Sequence, residues 1–325
     1  MTPLRLLQVG LAVAVVAFVV VRSHPSELWR VLQDVDARRA LAALLLNVPV
    51  LLLAPLRSYL VYRRLGHSVA AGVVVPTTIV GFVAGGLTPG ASGELLRAQS
   101  LRDRAAVSFH DVVTAVVYER ALSVYVLVLA AAFIAAVSYL SPAAAASAGV
   151  VCLALVLAPW AGAGLLSAFK LEDRHIEGSG IVARAARRLL STAVQIRFLM
   201  QDVKLLLATS AISLVIFALI ALQYWLFARG VNADVGIGDA WIALAISTFA
   251  GIVALIPLGL GILDGSLAAT LDRLGATLEQ GAAVVVLVRA LVTLPLVLIA
   301  ALCYVLLQRR VAAPAAGSAP VTASE

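Results

Sequence analysis

The chain has 325 residues, 62% of them hydrophobic, with 24 Lys and Arg against 17 Asp and Glu, so charged residues make up 13%. Soluble domains carry roughly 25%, so a water-exposed fold of this size is excluded, and with it the soluble enzymes. The net charge of +7 matches the Lys/Arg excess of cytoplasmic loops, and no nucleic-acid partner is expected.

Residues 4–21 form the first apolar run, with Arg5 at its start and no small-x-small cleavage site after it. It reads as a retained span rather than a signal peptide. A polar stretch of mixed charge covers 22–39. The second run, 40–62, contains Pro49, Pro55 and Arg57 and closes on Arg63 and Arg64. Residues 69–86 are apolar and glycine-rich, break at Pro89, Gly90 and Gly93, and turn polar through Glu94, Arg97, Arg102 and Arg104. A clear span at 112–137 carries Glu119 and Arg120. A tight connection leads to the run at 143–169, then to a basic loop over 170–204. Residues 205–227 are a clean span. The run at 240–256 breaks at Pro257, Gly259 and Gly261 and resumes over 262–275. The last span, 282–307, contains Arg289 and is followed by Arg309 and Arg310. The tail, 311–325, has a disordered composition.

Reading every run as a full span of about 20 residues gives eight helices. With Arg309 and Arg310 inside, that count puts Arg97, Arg102, Arg104 and the basic loop outside, against the positive-inside rule. Treating 69–104 and 240–275 as re-entrant segments entering from opposite faces removes the conflict. The expected fold is therefore an all-α polytopic membrane protein with six full spans and two Gly/Pro-broken re-entrant segments in an inverted repeat, the alternative being eight spans. Residues 1–310 form one transmembrane domain in the plasma membrane with both termini cytoplasmic. Freed backbone at such breaks is tolerated only inside protein or beside a water-filled cavity, and paired breaks point to a transporter site. Alternatively the glycines, spaced as Gly81/Gly85 and Gly261/Gly265, permit close helix packing.

In the basic loop, Leu189, Ala193, Ile196, Met200 and Val203 recur at spacings of three and four, while Arg184, Arg187 and Arg188 lie mostly off that stripe. This is an amphipathic helix, either lying on anionic headgroups or packed on the bundle. Cys152 and Cys303 sit in apolar runs as small buried residues. His24, His67, His110 and His175 are scattered without ligand spacing, and metal, redox and phosphate-loop motifs are missing. No metal, cofactor or catalytic residue is expected.

A charge at a helix centre costs about 2.5 to 3.5 kcal/mol, so Arg57, Arg97, Glu94, Glu119, Arg120, Asp264 and Arg289 each require a partner or a function. Four cations face three acids, which suits a phosphate, because Arg binds it bidentately. The structural alternative is ion pairing, such as Glu119–Arg289 or Arg57–Asp264, with Arg57 snorkelling or Asp264 capping a helix.

Five stretches carry a family resemblance: the Arg57 region, GGLTPGASGELLR at 85–97, Tyr118-Glu119-Arg120, PLGLGILDG at 257–265, and Leu287-Val288-Arg289. Together they resemble the flippase-like transmembrane region of lysylphosphatidylglycerol synthases, over roughly residues 5–308. Two positions depart from the family pattern: Ser123 stands where an acid is usual, and Asp264 where Glu is usual. The resemblance implies movement of an anionic lipid or lipid-linked group between leaflets, by a stand-alone unit without the aminoacyl-transferase domain. The substrate-binding candidates are then Arg57, Arg97, Arg120, Arg289, Glu94, Glu119 and Asp264. The hinge and backbone candidates are Pro89, Gly90, Gly93, Pro257, Gly259 and Gly261. Membrane lipids with a phosphate-bearing headgroup are the expected partners. A non-transporting scaffold for a glycosyltransferase or lipid-modifying enzyme is the alternative, with that enzyme as a membrane partner.

Overall fold

The computed structural model describes residues 25–88, 93–168, 180–254 and 261–312. The apolar run 4–21, the tail beyond residue 312, and Pro89, Gly90, Pro257 and Gly259 lie outside the described residues. All described elements are helical: α1 (Pro25–Gln33), α2 (Ala37–Leu45), α3 (Asn47–Arg64), α4 (Ala71–Leu87), α5 (Glu94–Ala105), α6 (Phe109–Tyr139), α7 (Pro142–Val156), α8 (Ala158–Ala168), α9 (Ile181–Gln201), α10 (Val203–Gly230), α11 (Ile237–Ala254), α12 (Ile262–Arg273), α13 (Leu278–Val288), a π turn (Arg289–Thr293) and α14 (Leu294–Ala312).

Prolines and caps explain most of the punctuation. Pro49 carries no N–H and crowds the carbonyl four residues back, and α2 gives way to α3 at Leu46. Pro159 acts likewise at the 42° bend between α7 and α8. Pro295 cannot donate to the Leu291 carbonyl; the helix widens there into the π turn, and Asn47 Nδ2 donates to Leu291 O at 3.1 Å. Asp36, Ser108, Ser141, Asp202 and Thr277 each accept a backbone N–H at a helix start. At Asp202 the Leu205 N–H, together with Arg64 Nε at 2.7 Å, holds the carboxyl below the usual carboxylate range.

Four helical stretches are long and apolar enough to cross a membrane: Ala37–Arg64 (28 residues), Phe109–Tyr139 (31), Val203–Gly230 (28) and Leu278–Gln308 (31). The bent pair α7–α8 makes a fifth if counted as one span. The first arms of the two broken segments, Ala71–Leu87 and Ile237–Val253, are shorter apolar helices, which does not favour eight full spans. Outward-facing Leu52, Val150, Leu153, Leu298 and Leu302 make an apolar exterior that a soluble fold does not tolerate over such an area. The protein is thus an all-helical, multi-pass membrane protein.

The same order of lengths occurs twice. A 28-residue span, a helical hairpin and a 31-residue span run from Ala37 to Tyr139 and again from Val203 to Gln308. Ala37 and Val203, and likewise Ala71 and Ile237, are 166 positions apart. The two first spans lie antiparallel. Arg39 donates to the Arg229 carbonyl, Gln223 to Ala43 O and Asn47 Oδ1, Arg57 to Ser213, and Arg64 to Asp202. The hairpins cross over between the runs: α4 packs on α14, and α11 packs on α6.

Among the described residues, two large apolar cores and a smaller cluster of Ile79, Val83 and Ala300 fill the bundle. One gathers Tyr62, Leu101, Tyr118, Leu122, Leu199 and Leu206 between α3, α5, α6, α9 and α10. The other gathers Phe227, Trp241, Leu244, Leu271 and Val284 around α10 to α13.

The basic loop forms α9, but its inner face differs from the expected stripe. Leu199 is fully buried and Ile196 and Met200 pack on the core, whereas Leu189 is 72% exposed and Ala193 faces out. Polar contacts set this rotation. Gln195 accepts from Thr114 at 2.6 Å and donates to Asp111 at 2.7 Å, so the helix turns its Gln195 side toward α6.

Candidate functional site

Five of the seven charged candidates meet in one cluster between α3, α5 and α6. Its centre is Arg97, 2% exposed. Its two Nη atoms donate to the two oxygens of Glu119 at 3.2 and 3.4 Å, and its guanidinium lies 5.3 Å from the Tyr62 ring centroid. Arg57 enters from α3, donating to Ser123 Oγ at 2.6 Å and Ser213 Oγ at 2.9 Å, with Glu119 3.9 Å away. Buried hydroxyl contacts hold it in place, so it does not snorkel. Arg120 and Glu94 complete the group at 2.9 Å.

The hairpin brings these charges together through small residues. A Cβ at Gly93 would lie 2.0 Å from the Ala84 carbonyl oxygen, so α5 turns back against α4 only with glycine there. Gly81 and Gly85 of α4 face Arg97, Glu94 and Arg120 directly, where a Cβ would meet Arg97 Cβ at 2.7 Å and Arg120 Nη2 at 3.1 Å. Close packing and charge placement are therefore the same device here.

The other two charges form a second pair. Asp264 on α12 accepts from Arg289 Nε at 2.9 Å and lies 2.8 Å from its Nη2. Its other oxygen accepts the Gly261 N–H at 3.1 Å. Gly261 has φ +82°, a conformation in which a side chain is strained, so this break needs glycine for its backbone. Asp264 thus serves as both helix-start acceptor and ion-pair partner. The expected pairings Glu119–Arg289 and Arg57–Asp264 give way to pairs formed within each run. The reason is the short connection, Ala106–Ser108 and Leu274–Thr277, that lays each hairpin's second arm against the helix that follows.

The partners that sequence reasoning missed are the hydroxyls of Ser123 and Ser213, which accept from Arg57, and the Tyr62 ring beside Arg97. Tyr62 Oη, Thr78 Oγ1, Arg57 Nε, Arg97 Nε and Glu94 Oε2 are buried without a hydrogen-bond partner.

Arg120 differs from the other cluster members. Its side chain is 47% exposed, whereas its partner Glu94 is 11% exposed. It lines a cleft with Phe82, Val83 and Gly86 of α4 and with Thr293, Leu296 and Val297 of the π turn and α14. The cleft thus has an apolar wall on both sides, one guanidinium, and at its far edge the π turn that begins at Arg289.

An all-helical membrane bundle with charges gathered beside two helical hairpins is the class these observations define. The family model described as the lysylphosphatidylglycerol synthase TM region matches residues 5–300, and the chain belongs to that family. Membership relates it to membrane proteins of lipid modification or transport. No curated protein matches the chain.

Proposed function

We propose that the protein moves an anionic lipid, or an anionic lipid-linked group, between the leaflets of the plasma membrane. The observation that carries this reading is Arg120, a half-exposed guanidinium on an otherwise apolar cleft, held from behind by a buried carboxylate. An acyl chain suits the Phe82, Val83, Leu296 and Val297 walls, and a phosphate suits the guanidinium. Arg57 and Arg97 add positive potential behind it, and Arg289 supplies a second cation across the π turn.

The repeated order of elements, the antiparallel first spans and the crossed-over hairpins support an inverted repeat in which the hairpins are re-entrant. Gly93 and Gly261, at the described edges of the breaks, are its hinges, and the charges of the basic loop favour a cytoplasmic side for it and for both termini. The test is lipid movement in proteoliposomes. The wild type is expected to equilibrate a labelled anionic lipid, and an Arg120→Ala/Arg289→Ala double variant to slow it at least tenfold. Equal rates would refute the site.

A second reading has one observation in its favour. On α9, Leu189 stands exposed beside the exposed Arg184, Arg187 and Arg188, a surface fit to hold a partner enzyme. Stoichiometric co-purification of such an enzyme, with no lipid movement by the isolated chain, would favour a scaffold.

A further inference from the structure

The two carboxylates of the main cluster are held very differently. Glu119 has both oxygens engaged by Arg97, with Arg57 3.9 Å away. Glu94 has one hydrogen-bonded oxygen, on Arg120, and its Oε2 is buried without a hydrogen-bond partner. Arg120 is also the group that the cleft offers to an anion. Binding at Arg120 and pairing with Glu94 therefore compete for the same guanidinium.

Among the described residues one cation is left to Glu94 besides Arg120. From its own helix, Arg97 Nη1 lies 3.9 Å from Oε2, and both Arg97 Nη atoms already donate to Glu119. From α6 come only Glu119 and Arg120. From α3 come Arg57, which is turned to Ser123 and Ser213, and the Tyr62 ring, which lies under Arg97. Helix α4 has no ionisable side chain and presses Gly81 and Gly85 against Glu94. A headgroup phosphate at Arg120 thus leaves Glu94 with an already engaged Arg97 at 3.9 Å and a second negative charge beside it, and like charges at one site favour taking up a proton.

Resting on the reading of the site above, we infer that Glu94 is the proton-carrying residue of the cycle and that one proton accompanies each monoanionic headgroup. The proton comes from water and converts the carboxylate to the acid; no other bond forms or breaks. The protonated group becomes a donor toward the anion that displaced it. When the anion leaves, Arg120 returns to Glu94 and the proton is released. Monoanion plus proton is electroneutral, so a pH gradient drives the lipid and a membrane potential does not.

The test uses the full chain in phosphatidylcholine vesicles with a trace of fluorescent phosphatidylglycerol, with protein-free vesicles as the background. Under a one-unit pH gradient, one-to-one coupling gives about a tenfold excess of label in the leaflet facing the alkaline side. Glu94→Asp keeps that asymmetry and Glu94→Gln loses it. Protein-dependent movement by the wild type that ignores the gradient overturns the coupling and leaves the Arg120 site standing. A Glu94→Gln variant that still follows the gradient overturns it too. The absence of any protein-dependent movement overturns both readings.

Discussion

Removing the Arg97 guanidinium is the severest single change the cluster permits. Arg97 is fully buried, and Arg97→Met keeps most of its volume while taking away two bonds to Glu119 and the stacking on Tyr62. Glu119 is left buried with Arg57 at 3.9 Å. Breaking a buried ion pair from one side costs about 3–5 kcal/mol. Because Arg57 remains, the lower end applies, about 3 kcal/mol. The double variant Arg97→Met/Glu119→Gln removes the orphaned charge and is expected to recover about 2 kcal/mol or more. Arg102→Met serves as the control, since its pair with Asp103 is exposed, and a change within about 0.5 kcal/mol is expected. Reversible unfolding in mixed dodecylmaltoside and SDS micelles measures all four proteins. A loss below about 1 kcal/mol for Arg97→Met, or a double variant no better than the single, would refute the view that this pair fastens α5 to α6.

Gly93→Ala places a Cβ 2.0 Å from the Ala84 oxygen and is expected to cost about 3 kcal/mol or more in the same unfolding assay, overpacking against backbone being the harsh case; Gly162→Ala, with nothing within 4 Å, is expected to be neutral or to gain up to about 1 kcal/mol. Asp202→Ala is expected to cost about 1 kcal/mol through the lost cap of α10. Because Asp202 is held below the usual carboxylate range, its contribution is present above that range and fades as pH falls through the folded value, so Tm curves of wild type and variant taken from pH 7 to pH 3 should converge at the acid end. Gln223→Leu takes the Gln223 donor from Asn47 Oδ1 and from the Ala43 carbonyl, which keeps the Leu46 N–H, and is expected to cost about 1–3 kcal/mol, whereas a neutral result would show that water reaches that crossing.

The elements that sequence reasoning located were those with a local chemical signature. Glycine and proline marked both hairpins, and charge in an apolar run marked the residues that form the cluster. Partner identity was not legible, because it depends on contacts between distant positions. Arg57 meets Ser213, 156 positions away, and a serine in an apolar span carries no periodicity that would single it out. Helix rotation was equally hidden. The Leu189 stripe of α9 obeys helical spacing, yet Gln195 with Thr114 and Asp111 rotates the inward face so that Ile196 and Met200 stay in and Leu189 and Ala193 turn out. Buried polar contacts outrank apolar pattern there because leaving them unmade is the larger cost.

The two runs place corresponding contacts on different chemistry. Asp36 and Asp202 stand 166 positions apart and cap the first span of each run, each meeting the far end of the other run's first span: Asp36 N–H donates to Gly230 O, and Arg64 donates to Asp202. Arg57 with Ser213 corresponds in the same register to Gln223 with Asn47. Glu94–Arg120 corresponds to Asp264–Arg289. Beyond these the correspondence fails in one direction. In the second run, the places of Arg57, Arg97 and Glu119 fall at Gln223, Leu267 and Val288, all buried and uncharged. Backbone arrangement is therefore shared, while charge is concentrated in the first run. Three guanidiniums and two carboxylates there leave one positive charge over, whereas Asp264 and Arg289 balance. On the proposal above, the anion then rests on the first run's side, at Arg120, and the second run supplies the moving wall of the cleft through its π turn. Making the second run resemble the first, by Gln223→Arg, would put an unpaired cation into a buried crossing against Ala43 and Asn47, away from the residues that line the cleft, and is expected to cost about 3 kcal/mol or more in the same unfolding assay, since a buried charge without a partner is not offset.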